Sequence, residues 1–353
     1  MKQIKLHYLF IAIAFTAALA SCHKDRAVIP HDTPTAQNAG IYVLNQGGFD
    51  DNNSTLSYYN YSTKVLTADI FSSANAGAKL GDVGNDVGIY GSKMYIVVNN
   101  SNKIDVVNAQ TSVLIKSVTL NQCRSVVFYN GKAFITSYNG VVAVLDTLTL
   151  NINTTIKVGA DPEQMAIVGS KLYVANSGGE STTGPDSTVS VIDLATMTQT
   201  KLIKVIANPT SVTADTLGHV YVISFGNFSN IAGGMTVIND VTDQVLSQPA
   251  ISIGYNIPLY QQHGYVYYPT SNNDIAVYNA QTQSAASANF ISDGTTLVAP
   301  YAISGDPNTG EIFVTDAEDY SSNGILYAFD KTGKKEYQLT VGINPGRIAL
   351  LNK

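Results

Sequence analysis

A chain of 353 residues that is 45% hydrophobic and only 13% charged can bury a large core, which sets aside disorder. Lys+Arg number 20 against Asp+Glu 26, a net charge of −6, and no basic cluster lies beyond the N-terminus, which argues against nucleic-acid binding. Trp is absent, 28 glycines mark turns rather than long helices, and two cysteines are too few for a disulfide scaffold, so membrane bundles, coiled coils and small stapled folds are excluded.

The chain opens with a short positive start, Met1–Lys5, followed by an apolar stretch from Leu6 to Ala20. That stretch is too short to span a bilayer comfortably and fits the apolar part of an export signal. It ends in Leu19-Ala20-Ser21-Cys22, which resembles the bacterial lipobox. The resemblance implies a signal peptide over 1–21, a lipidated Cys22 as first mature residue, and a membrane anchor. Each buried acyl methylene contributes about 0.8 kcal/mol to such anchoring. The stretch from Cys22 to Ala39 is polar, carries Pro30 and Pro34 and has no periodicity, so it reads as a flexible tether before a domain over 40–353.

From residue 40 the chain repeats. An alternating apolar strand recurs around Tyr42, Tyr95, Phe134, Tyr173, Tyr221, Tyr267 and Phe313, at intervals of 39 to 53 residues. A tight Gly turn precedes several of these anchors (Gly91, Gly131, Gly169). A third strand then ends in Asn or Asp: Asn60, Asn108, Asp146, Asp193, Asn239, Asn279 and Asp330. That side chain can bond the backbone beyond it and start a turn into a fourth strand. Four short strands per repeat, seven times over, predict an all-β, seven-bladed β-propeller with four-stranded antiparallel blades. Blade one lacks an innermost strand at Ile41, and Arg347–Leu351 has no blade of its own, so strand 347–351 is expected to join blade one and close the ring.

In that register the long connections between second and third strands (45–55, 176–188, 224–234, 316–323) share a face with the blade-to-blade links 72–85 and 292–299. The opposite face carries short, uniform hairpins. Long loops on a rigid scaffold are where recognition usually resides. The mouth of the channel should be ringed by the starts of the innermost strands: Asn85-Asp86, Arg124, Glu163-Gln164, Thr210-Ser211, Asn256, Pro300-Tyr301 and Arg347. Arg124 and Arg347 either neutralise nearby Asp82, Asp86, Asp161 and Glu163 or anchor a ligand. Around them the loops place Asn45, Gln46, Phe49, Asn99, Tyr138, Asn139, Asn176, Phe225, Asn227, Phe228, Tyr268 and Tyr320. Tyr and Phe beside Asn and Gln suit a large, amide-bearing, partly apolar ligand.

Catalytic chemistry is sparse. His23 and His31 lie on the tether, and His219 and His263 fall on hairpin turns of the plainer face. Cys123 lacks a His partner and reads as a small buried group. No zinc spacing exists, and Phe49–Ser54 lacks the ligand spacing of a calcium loop. Neither a metal, a cofactor nor an enzymatic activity is expected.

The lipobox, the opening Ala39–Phe49 and the closing Asn344–Leu351 together resemble the YncE-like seven-bladed propeller lipoproteins of Bacteroides-type bacteria, over residues 40–352. Within that group the chain is similar to the BtuG-type proteins. The resemblance implies a monomeric propeller on the outer-membrane surface that captures cobalamin or a related corrinoid beside a TonB-dependent transporter. Loop aromatics would then cover the corrin, amides would meet its amide arms, and Arg124 or Arg347 its phosphate. The alternatives are an adhesion or surface-layer propeller that binds glycan or protein, and a propeller lactonase or lyase.

Overall fold

The computed structural model describes residues 38–182, 184–254 and 260–353. Residues 1–37, where the signal peptide, the lipidated Cys22 and most of the tether were expected, and Asn256 lie outside the described residues. Seven sheets of four antiparallel strands make seven blades. Blade two runs outward through Gly84–Tyr90, Lys93–Val98, Lys103–Asn108 and Leu114–Thr119. Blades three to seven open on Cys123–Tyr129, Pro162–Val168, Pro209–Ala214, Tyr260–Gln262 and Pro300–Gly305 and follow the same order. Each of these first strands packs against the next around the ring.

Blade one is built from both ends of the domain, in the order Pro345–Asn352, Asn38–Asn45, Thr55–Asn60, Val65–Thr67. The closing strand pairs antiparallel with Asn38–Asn45, with Leu350 opposite Ile41 and Ile348 opposite Val43. It is longer than the 347–351 expected. The first strand also begins at Asn38, inside the stretch read as tether, because the Asn38 amide donates to Asp306 of blade seven at 2.7 Å.

Second strands are buried on both faces, which is why they read as apolar runs around an aromatic. Six of the seven anchors are fully buried and Tyr267 nearly so. They pack between blades: Tyr95 and Val97 of blade two meet Val126 and Ile135 of blade three. Fully burying one such side chain contributes roughly 1.5–3 kcal/mol. Several anchors carry a hydroxyl that reaches the next blade's outer turn. Tyr42 donates to the Ala109 carbonyl at 2.7 Å, and Tyr173 to Asp243 at 2.6 Å.

Those outer turns repeat in detail. Asn60, Asn108, Asp146, Asp193, Asn239, Asn279 and Asp330 each accept, through Oδ1, the backbone N–H two residues on. In six blades the residue four after it (Lys64, Ser112, Leu150, Met197, Asp243, Gln283) has φ between +52° and +58°. Blade seven instead places Gly333 at φ +81°, three residues after Asp330, where no Cβ is strained. The link from blade one to blade two holds one element the repeat does not foretell, a short helix Ile70–Ala74 capped by Asp69 and pinned by buried Phe71.

Candidate functional site

The starts of the innermost strands converge on a cavity of about 160 Å³ at one end of the channel. It is lined by Gly346 and Arg347 of blade one, Asn85 of blade two, Arg124 of blade three, Glu163 and Gln164 of blade four, and Thr210 and Ser211 of blade five. Tyr301 of blade seven completes the wall, with Gln46 and Phe225 entering from the loops between second and third strands. Of the candidate residues, Gln46, Asn85, Arg124, Phe225 and Arg347 therefore line one pit. Glu163, Gln164, Thr210, Ser211 and Tyr301 line it too; their place in the strand register was the only sign of this.

Charges alternate around the mouth. Arg347 Nε donates to Asp86 Oδ1 at 3.1 Å, joining blades one and two. Asp86 also accepts from Val87 N at 2.9 Å and, through Oδ2, from Ser125 Oγ at 2.7 Å and Val126 N at 2.9 Å. Arg124 grips Glu163 of blade four with Nε and Nη2, both at 3.1 Å. Gln164 then accepts from Ser211 Oγ of blade five at 2.8 Å. Asp82 and Asp161, the other carboxylates considered for the arginines, accept instead from loop backbone at Asp50 and Glu180.

The ion pairs are largely withdrawn from water. Side-chain exposure is 20% for Arg124 and 13% for Glu163, and 19% for Arg347 and 11% for Asp86. Burial opposes the charge on Arg124, but the adjacent Glu163 outweighs it and the guanidinium is held above its usual pKa. Tyr138 lies under that guanidinium, 4.8 Å from ring centroid to Cζ, and donates to Glu163. Burial, then Glu163, pushes the Tyr138 phenol up. Tyr301 donates to Gln46 Oε1; burial pushes it up, while the field of Arg347 and Arg124 partly offsets this.

Outside the pit the loop face carries exposed rings. Phe49 is 72% exposed and Phe228 71%, while Tyr320 is half exposed and packs edge-on against Tyr301 at 6.1 Å. Asn139 is exposed on the adjoining turn, and the Asn99 amide donates to the Cys123 carbonyl. Four candidates do not face the site. Asn45 and Asn176 are fully buried, and their amides tie their own blades together through Thr55 and Ser57, and through Thr188 and Ser190. Tyr268 is packed in the core between blades five and six. Asn227 knots its own loop by accepting from Ser229, Asn230 and Ile231. In each case a polar or aromatic type that suits a ligand is consumed by local packing.

Cys123 is fully buried, and burial pushes its thiol up to about 12, so it carries no thiolate at neutral pH. His219 sits on the opposite face, 2.8 Å from Asp215. Among the described residues no group of three His, Cys, Asp or Glu side chains is placed to hold a metal ion. No helix among them is long and apolar enough to cross a membrane.

No curated protein matches the chain. Among solved structures it is similar to a quinonprotein alcohol dehydrogenase-like protein of Bacteroides thetaiotaomicron (16% identity, TM-score 0.64, covering 90% of this chain and 79% of that one). It is also similar to Kuenenia stuttgartiensis hydrazine synthase (14%, TM-score 0.63, 76% and 96%) and to the computationally designed Ika8 protein (13%, TM-score 0.59, 90% and 97%). At these identities the likeness concerns the fold alone. Residues 39–343, nearly the whole propeller, match one family, and the chain belongs to it: a domain of unknown function, DUF5074.

Proposed function

We propose that this propeller is a binding module that captures cobalamin or a related corrinoid on its loop-rich face, from a lipid anchor at the outer-membrane surface, for delivery to a TonB-dependent transporter. The observation that carries the reading is the form of the mouth: a small polar pit, with Phe49, Phe228 and Tyr320 exposed on the loops of the same face. Sites that engulf a drug-sized ligand measure roughly 300–1,000 Å³. A cavity of about 160 Å³ admits one polar arm of such a ligand, while the rest lies across the loops. Flat apolar rings and amide edges of a corrinoid fit that division. Binding is favoured over catalysis because Glu163 in the pit and Asp86 beside it are held by guanidinium, hydroxyl and backbone donors, so among the described residues neither stands free as a general base. Isothermal titration of the full chain with cyanocobalamin tests the reading. Saturable heat and red colour retained through desalting are expected; no heat and a colourless protein overturn it.

A further inference from the structure

The hydrogen-bond ledger of the pit is lopsided. Asp86 and Glu163 are the acceptors that matter, and both are filled from within the protein. Donors are left over. Arg124 uses Nε and Nη2 on Glu163, and among the described residues its Nη1 bonds nothing. Arg347 uses Nε on Asp86 and Nη1 on the Gly346 carbonyl, which leaves Nη2. Gln46 and Gln164 each accept through Oε1, and among the described residues their side-chain amide N–H groups bond nothing. The buried Thr210 hydroxyl has no partner among the described residues. A cavity with surplus N–H groups and filled carboxylates is completed by an acceptor, not by a donor or a cation.

The charge balance narrows the acceptor further. Two guanidiniums face two carboxylates, and the exposed Glu180 adds only a solvent-screened field at Arg124. A single negative charge meets the guanidinium ends of the two ion pairs in surroundings that are near neutral overall; a second would add repulsion that no further cation lining the pit offsets. We propose that the pit recognises a single monoanionic oxygen group, a phosphodiester or a carboxylate, held between Nη1 of Arg124 and Nη2 of Arg347. This rests on the mouth being the capture site, but not on the ligand being a corrinoid.

The chain has three arginines, Arg26, Arg124 and Arg347, so the Nε–Hε resonances of the two in the pit can be assigned with R124K and R347K. The full chain is titrated with dimethyl phosphate, acetate and the uncharged trimethyl phosphate. Saturable movement of both resonances with either anion is expected, and which anion acts tells phosphodiester from carboxylate. Movement with neither, or equal movement with trimethyl phosphate, overturns the proposal. R347Q should weaken the effective anion about tenfold. R124Q/E163Q, which keeps a neutral hydrogen-bonded pair, should do likewise while melting close to wild type; unchanged anion affinity in both variants overturns it. Cyanocobalamin that binds without moving either resonance sinks this proposal and spares corrinoid capture. An anion that moves both, with no heat from cyanocobalamin, supports this proposal and sinks corrinoid capture.

Discussion

The two faces of the ring use the same kinds of polar side chain in opposite ways. On the turn face, each Asn or Asp at the end of a third strand bonds backbone two residues along, and seven blades do this alike. On the mouth face the bonds run from blade to blade: Arg347 reaches Asp86 across 261 residues of sequence, and Arg124 reaches Glu163 across 39. Local bonds satisfy their own backbone donors. Cross-blade bonds between branched, multivalent groups leave N–H groups pointing into the space they surround. The repeated face builds the ring, and the unrepeated face is where a ligand can be met.

The strongest way to break that contrast is to open the ring. Deleting residues 345–353 removes the first strand of blade one and Arg347 together, and exposes the edge at Asn38–Asn45. The loss should approach the whole stability of the domain, on the order of 5–15 kcal/mol, seen as absence of a cooperative melt. A truncated chain that melts like wild type would show that the closing strand is dispensable to both faces.

Next in size are the ion pairs. Arg124→Met strands Glu163 in a site where its side chain is 13% exposed, and should cost about 3 kcal/mol in urea unfolding. Joining it with Glu163→Leu should restore most of that loss, because the cost lies in the orphaned charge. On the turn face Asp243, paired with Lys171 at 2.9 Å, is about as withdrawn at 14%, so Lys171→Met should cost a similar amount. Smaller again is the loss of one turn: Asn108→Ala removes the bonds to Gln110 N and Thr111 N and should cost about 1 kcal/mol. Asn239→Ala, three blades away, should add to it nearly independently.

This contrast also explains what the sequence discloses. The ring, the blade count and the closing strand are legible because second-strand aromatics and turn-forming Asn or Asp recur with the blade, and because Arg347–Leu351 has no blade of its own. The rim positions follow from the same register. Partners across the mouth do not, since nothing in residues 85–86, 124–125 and 163–164 says which side chain each will meet. Asn45 and Asn176 show the limit from the other side. Both sit at the mouth-side ends of second strands, as a contact residue would, yet each faces the core and bonds its own third strand. Composition cannot separate an amide that binds a ligand from one that closes a blade. The helix Ile70–Ala74 is likewise silent in the sequence, because five residues are too few to show a helical period.

The smallest effect expected is in pH, and it divides the turn face itself. Asp293 lies there although the link 292–299 was expected on the mouth face: its carboxylate accepts from Lys335 N at 2.7 Å, at blade seven's outer turn. Backbone donors from Thr149 and Thr196 hold the Asp146 and Asp193 carboxyls below their usual range, and the Lys335 and Thr295 N–H groups hold Asp293 down to about 2. A carboxyl lowered in the folded state adds stability above its unfolded pKa and loses it as pH falls towards the folded value, so these groups give an acid limb below about pH 4. Glu311 behaves oppositely. Burial, then neighbouring Glu336, pushes it up to about 7 from 4.5. Its contribution is whole below about 4.5 and is lost as pH rises through 7, which gives a second limb on the neutral side. The melting temperature should therefore peak near pH 5. Glu311→Gln should flatten the rise-side limb by on the order of 1–2 °C and leave the acid limb in place. Asp146→Asn with Asp193→Asn should do the reverse, because Asn already forms the same turn at residues 60, 108, 239 and 279 without a charge to lose. Asp293 and Asp330 keep their share of the limb in either case; if the double change does not shrink it at all, Asp146 and Asp193 bond their backbone no better folded than unfolded.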